Sequence, residues 1–562
     1  MSFKAAILRG ALTMWMVVGA ATSVSSQDVG TQAQEFVREH ERKIQPLQIA
    51  SARAWWTANI TGQDEDFAAK EEAENKINEA LSDKQQFNRL KQIQAGKIAD
   101  PVLRRTIDVL YLQYLDKQVD PALLRRMTAK ANAIEKAFNV FRAQVKGKSL
   151  TDGEVRQVLQ KSKDSQERQA VWEASKRVGA EVENELKDLV RLRNEAATGL
   201  GFPDYHALQL HLTELTQAQV LKIFDELDEL TRQPFDRAKS RIDEKLAASY
   251  ALKPQQLMPW HYHDPFFQEA PAVYEADLDQ PFADADIQRI CREFYAGIGL
   301  PIDDVLAKSD LYEKRGKSPH AFCTDIDRAG DVRVLGNIRP TEYWMSTMLH
   351  ELGHSVYSSK NIPAELPWAL RSDAHTLCTE GLAMMFERFS KSAEWLRAYG
   401  VEVTEPEKFS ASAAEMRRDR LLIFSRWAQV MFRFEKELYR DPSQDLNKLW
   451  WDLVEKYQGV RRPPERNAPD YASKIHVVSA PAYYHNYLLG QLFACQLHAS
   501  IAKEVLNRSD AADAIYTREA RVGKYLREKL FSQGALRSWN DVTRYATGSE
   551  LNAKAFAAEL QD

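Results

Sequence analysis

His350-Glu351-Leu352-Gly353-His354 is the stretch whose residue types and spacing most directly spell out a chemistry. On an α-helix, residues four apart share a face, so the two imidazoles stand one turn apart with a carboxylate beside them. That arrangement binds Zn²⁺ and leaves a general base near the water the ion activates. Histidine is scarce, 12 in 562 residues, so the pattern is not a by-product of composition. A catalytic zinc takes three protein ligands and keeps one position open. Neither Tyr357 nor Lys360 suits the His-rich extension that supplies a third histidine in metzincins. Glu380 is the preferred third ligand, on a second helical segment running from Thr379 to Arg388. Glu387, seven residues on, shares its face and can support a ligand from behind. Glu365 and His375, in loop-like surroundings, are the alternatives.

These side chains need elements to hold them. Pro340 breaks the chain and Thr341 can cap a helix on which Tyr343, Trp344, Met348, Leu349, Leu352 and Val356 recur at helical spacing, so that helix is expected to be largely buried. Before it, Pro319–Asp325, a turn at 328–331 and Val332–Gly336 read as a hairpin. Ala, Leu, Glu, Lys, Gln and Arg dominate 64–95, 101–147 and 153–198, and only 23 Gly and 21 Pro occur, so the fold class is mainly α. No Gly/Ser linker, low-complexity tract or repeat divides the chain, which points to one large body over 27–562.

The 76 basic and 80 acidic residues are well mixed, giving a net charge of −4 and no basic stripe for nucleic acid. Lys4 and Arg9, then an apolar run from Gly10 to Ala21, then Ser23-Val24-Ser25-Ser26 read as a signal peptide over 1–26, cut near Ser26 or Ser23. The run is shorter than a membrane span, so an exported protein, periplasmic or extracellular, is expected, with an uncleaved anchor as the alternative. Cys291, Cys323, Cys378 and Cys495 are too scattered for a disulfide framework; one or two pairs are compatible with an oxidising compartment, but buried thiols are the preferred reading. Asn59-Ile60-Thr61 and Asn507-Arg508-Ser509 match the glycosylation triplet.

A second cluster lies far along the chain. Lys474, His476, Tyr483, Tyr484 and Tyr487 fall within fourteen residues, ahead of an apolar helix ending near His498, and supply hydrogen-bond donors for an oxyanion and a cation for a carboxylate.

With these residues in view, the chain resembles a bacterial member of the angiotensin-converting-enzyme family of zinc peptidyl-dipeptidases. The matching stretches run in order along nearly all of the chain after its leader: Gln34-Glu35-Phe36-Val37, Trp55-Trp56, Arg193–Ala197 with Gly201-Phe202, His320-Ala321, the HExxH segment, Trp368–Arg371, Glu380, Trp450–Gly459, Lys474-Ile475-His476, and Tyr484 with Tyr487. The resemblance implies His350, His354 and Glu380 as zinc ligands and Glu351 as general base and then acid. It implies His476 and Tyr487 as donors to the tetrahedral intermediate. It further implies His320 and the Ala321 backbone as substrate contacts, and Lys474 with Tyr484 as the site for the peptide's C-terminal carboxylate. Counting from His476 favours Tyr483 in that last role; counting back from Gln496-Leu497-His498 favours Tyr484, which is taken because a loop absorbs an insertion more readily than a helix. The resemblance also implies N-terminal helices that restrict entry to short peptides, and the hairpin offers an edge to which an extended peptide can add as a strand.

Several positions depart from the family. Met384 stands where relatives carry an Asp behind the metal, leaving Glu387 or Asp325 to support the ligands. Val454 and Asn486 replace arginines of chloride-activated relatives, so chloride activation is not expected. The glutamine that helps hold the carboxylate is expected to be replaced near Trp260-His261-Tyr262. Pro319 and Asn337 stand near the positions of a missing disulfide. The competing readings are a zinc carboxypeptidase or oligoendopeptidase of related fold, and an inactive peptide-binding protein on the same scaffold.

Overall fold

A computed structural model of the chain describes residues 28–274 and 277–561, so the expected leader lies outside the described residues. As the composition predicts, the architecture is mainly α, and the β structure among the described residues is two antiparallel hairpins. Four helices of 33 to 35 residues, Val29–Thr61, Ser165–Gly199, Gln217–Ser249 and Pro406–Arg440, form its frame. Helix starts follow local chemistry: Asp100 and Asp120 each accept two backbone N–H groups ahead of Pro101 and Pro121, and Thr151 with Glu154 closes a capping box.

The expected hairpin is present as Phe322–Asp325 paired with Val332–Leu335, in the register Phe322 to Leu335 and Asp325 to Val332. The far edge of Val332–Leu335 is covered by Asp310, whose N–H donates to the Val334 carbonyl. A second hairpin, Ala143–Val145 with Lys148–Leu150, is one the sequence pattern does not reveal, because it lies at the end of a helix-rich stretch. Lys146 and Gly147 both take positive φ, the geometry of a two-residue hairpin turn, which glycine permits.

The HExxH helix spans Glu342–Val356, and Thr341 caps it by accepting the Trp344 N–H, as expected. Met345, Met348, Leu349, Leu352 and Val356 are fully buried, but Tyr343, expected on the same stripe, is 66% exposed. It sits in the first turn, where the helix has only begun to enter the core. Thr376–Glu387 packs against this helix, and His485–Glu504, longer than predicted, packs against Thr376–Glu387. Small residues allow both approaches: a Cβ on Gly353 would come 2.9 Å from the Ala383 Cα, and one on Gly381 would come 2.5 Å from the Gly490 carbonyl oxygen.

The helices Val29–Thr61, Asp64–Leu81, Lys84–Ala95 and Pro101–Asp116 share an apolar cluster of their own, around Phe36, Ile44, Leu90 and Leu110, which meets the body at Ala369. Polar contacts fix it there: Trp368 donates its backbone N–H to Glu41 and its indole N–H to Gln48. All four cysteines are free thiols, three of them buried. Among the described residues no helix is long and apolar enough to cross a membrane.

Candidate active site

The packed helix pair brings together the three residues selected as metal ligands. Donor atoms of His350, His354 and Glu380 lie within 4.8 Å of one another, and this is the metal-type cluster found among the described residues. Their orientation is set from behind. His350 Nδ1 is 2.8 Å from Glu387 Oε2, and His354 Nδ1 is 2.7 Å from Thr379 Oγ1. Both imidazoles therefore turn Nε2 inward, 3.1 Å apart, with Glu380 Oε2 3.5 Å from His350 Nε2. Two ring nitrogens facing each other with a carboxylate alongside suit a divalent cation. Glu387 takes the supporting position that Met384 leaves empty; Asp325, the other candidate, is engaged by the backbone N–H groups of Arg328 and Ser359. Glu365 and His375 stay outside the cluster, and His375 instead caps Thr376–Glu387 through Leu377 N–H.

Burial acts against charge throughout this site. It lowers His354 to about 4, helped by the neighbouring His350. It opposes a charged His350 too, but hydrogen bonds to Glu380 and Glu387 outweigh it and hold that group well above the ordinary histidine range. Glu351 is 9% exposed, and burial pushes its carboxyl up to about 7 against the pull of His350. A carboxyl poised there can take a proton and return it. Glu351 also accepts the backbone N–H of Cys323, so the outer edge of Phe322–Asp325 faces the metal cluster, and Ala321, two residues earlier, lines the same 510 Å³ cavity. His320 is exposed at the hairpin entry, and its imidazole makes no hydrogen bond among the described residues.

On the other side of the His350–Glu387 pair lies a second cavity of 450 Å³, lined by Lys474, His476, Tyr484 and Tyr487 together with Glu387 and Met384. Tyr484 stacks edge-on to His476 at 5.4 Å, and the Lys474 ammonium lies 5.6 Å from the Tyr484 ring centroid. Tyr483 does not share this face; it packs on Tyr487 and feels the charge of Glu380. His476 is lowered to about 4 by burial and then by Lys474, so its ring is neutral near pH 7, and its buried Nδ1 has no hydrogen-bond partner. The Tyr487 hydroxyl likewise makes no hydrogen bond among the described residues.

One expectation is corrected here. A glutamine does reach the lysine, because Gln268 Oε1 accepts from Lys474 Nζ at 2.6 Å. It arrives on an irregular loop tied by the buried Asp264, whose carboxylate accepts the N–H groups of Phe266, Gln268 and Glu269. The loop shifts the residue several positions from where linear spacing puts it. Gln268 and Thr379 are the supporting residues that sequence reasoning missed, and neither carries a local motif.

The family model for angiotensin-converting enzyme matches residues 27–261 and 267–559. Among curated proteins, the chain is 22% identical to the angiotensin-converting enzyme-like protein Ace3 of Mus musculus, over 97% of this chain and 77% of that protein. It is 23% identical to angiotensin-converting enzyme of Haematobia irritans exigua over 72% of each chain. The match to angiotensin-converting enzyme of Mus musculus is 24% identical over 49% of this chain and spans only 21% of that longer protein. With the family model covering nearly all of the described residues, the chain belongs to the angiotensin-converting enzyme family, peptidase family M2.

Proposed function

We propose that the protein is a zinc metallopeptidase that releases dipeptides from the free C-terminus of short peptides. The observation that carries this reading is Lys474: the residue is buried, 7% exposed, and the hydrogen-bond partner of its ammonium is a neutral amide. A buried cation with no carboxylate bonded to it is completed by a carboxylate that arrives with the substrate. Burial lowers it to about 8, so it still carries its charge at neutral pH.

His350, His354 and Glu380 would hold the Zn²⁺, which when bound supplies Lewis-acid activation of water and of the scissile carbonyl. Glu351 takes a proton from the attacking water and delivers it to the leaving amine. His476 and Tyr487 donate to the oxygen on which charge develops. The outer edge at Ala321 and Cys323 aligns the peptide backbone, with His320 at its entry, while Lys474, Gln268 and Tyr484 fix the terminal carboxylate. The distance between that cradle and the metal then selects the bond.

Mass spectrometry of products from a free-acid decapeptide and its C-terminally amidated twin, with a chelator control, tests the reading. Chelator-sensitive loss of successive dipeptides from the free acid, with the amide much slower, is the expected result. Single-residue or internal cuts would move the assignment to a carboxypeptidase or an oligoendopeptidase, and absence of any cleavage would leave a peptide-binding protein. Weak or absent chloride activation belongs to the same proposal, since the buried Val454 and Asn486 bring no cation to their positions; strong stimulation by chloride over a non-halide salt would overturn it. An exported location rests on residues 1–26 alone, and recovery of the protein in the cytoplasmic fraction would sink it.

A further inference from the structure

The 450 Å³ cavity holds more positive charge than a C-terminal carboxylate needs. Lys474, Arg420, Arg417 and Arg388 line it, along with Lys391, which pairs with Glu342, and Arg156, which lies 3.8 Å from the lining carboxylate of Glu269. Arg388 and Arg417 share one buried carboxylate, Glu559, which is 4% exposed in its side chain, so the trio keeps one positive charge. Arg420, exposed on Pro406–Arg440, makes no hydrogen bond or ion pair among the described residues. The acidic group whose charge it feels, Glu387, is already committed to His350 Nδ1. Once Lys474 has taken the terminal carboxylate, Arg420 and the Arg388–Arg417–Glu559 trio leave the cavity cationic. Met384, Leu421 and Phe424 add apolar surface to the same lining. Apolar walls and guanidinium groups in one cavity fit a side chain with a methylene stem and an anionic tip.

We propose that this cavity selects substrates whose leaving dipeptide carries an acidic side chain, glutamate above all, with Arg420 as the specificity-determining contact; the inference rests on the dipeptide-releasing reading above. Low-dielectric walls on the cavity's apolar side strengthen the attraction relative to open solvent.

The test uses the zinc-loaded enzyme and free-acid hexapeptides that differ only in Glu or Gln at the final or the penultimate residue. The Glu peptide is expected to exceed its Gln twin by about tenfold in kcat/KM at one of these positions, mainly through KM, and less so at high salt. Arg420→Gln should bring the ratio close to one, while Arg420→Lys should retain part of it. Dipeptides released from both peptides with no Glu preference at either position, or a preference that survives Arg420→Gln, overturns this inference and leaves the dipeptidase reading standing. Chelator-sensitive cleavage that releases no dipeptide overturns both.

Discussion

The half of the site proposed to hold the metal is carried by two packed helices, whereas the half proposed to hold the substrate carboxylate hangs on irregular chain. His350, Glu351 and His354 sit on Glu342–Val356, while Glu380 and Glu387 sit on Thr376–Glu387, and backbone contact at Gly353 and Ala383 fixes the spacing. Lys474 instead follows a single 3₁₀ turn, Asp470–Ser473, and Gln268 lies in a loop without regular structure. Rigid elements hold geometry to fractions of an ångström; loops hold it through a few hydrogen bonds. The first half should therefore respond to changes in donor chemistry, and the second to changes in loop tethering.

The largest effect is expected at the proposed base. Glu351→Gln keeps the volume and the Cys323 N–H contact but removes proton transfer, and should lower kcat by about a hundredfold to ten-thousandfold while bound zinc, read by metal analysis, stays stoichiometric. Loss of the metal in the same variant would mean that Glu351 shapes the cluster instead. Glu387→Gln comes next. It weakens the hydrogen bond that orients His350, so zinc affinity in a competitive chelator titration should fall by about ten- to a hundredfold. An unchanged affinity would show that helix packing alone aims the imidazole.

The carboxylate half is probed by Lys474→Met. Removing a buried charge-assisted contact should lower kcat/KM for free-acid peptides by about ten- to a hundredfold and leave amidated peptides little changed. The same group gives a pH signature. With its pKa lowered to about 8 by burial, Lys474 is charged below that pH and neutral above it. In the wild type, KM for free-acid peptides should rise as pH passes through about 8, and the rise should vanish in Lys474→Met. A pH profile identical in both proteins would remove Lys474 from carboxylate binding.

This division also explains what the sequence discloses. HExxH, the Thr341 cap and the apolar stripe are local patterns with helical period, so the ligand-bearing helix and the helix that brings Glu380 to it can be read directly. The hairpin of Phe322–Asp325 and Val332–Leu335 shows through its alternation and turn residues. Gln268 does not, because a loop tied locally by Asp264 delivers it to a lysine 206 positions further along the chain, and no period marks such a contact. Thr379 behind His354 is equally silent, since a lone threonine before a glutamate has no signature until two helices pack. The Lys146-Gly147 turn is missed for another reason: a short hairpin next to long helices has too few residues to outweigh the surrounding helix-rich composition.

The smallest expected effect tests the loop itself. Asp264 is 4% exposed and bonds to neither a candidate metal ligand nor the side chain of a proposed substrate contact, although its charge reaches Lys474, and its two carboxylate oxygens accept from three backbone N–H groups. Asp264→Asn turns one of those acceptors into a donor facing N–H groups, a loss of about 1 kcal/mol in loop order. If the loop positions Gln268, KM for free-acid peptides should rise by roughly fivefold, amidated peptides should be unaffected, and zinc affinity should not move. A parallel loss on both peptide types would instead assign Asp264 to general packing, and the carboxylate half would then owe its geometry to the core beneath it rather than to the loop.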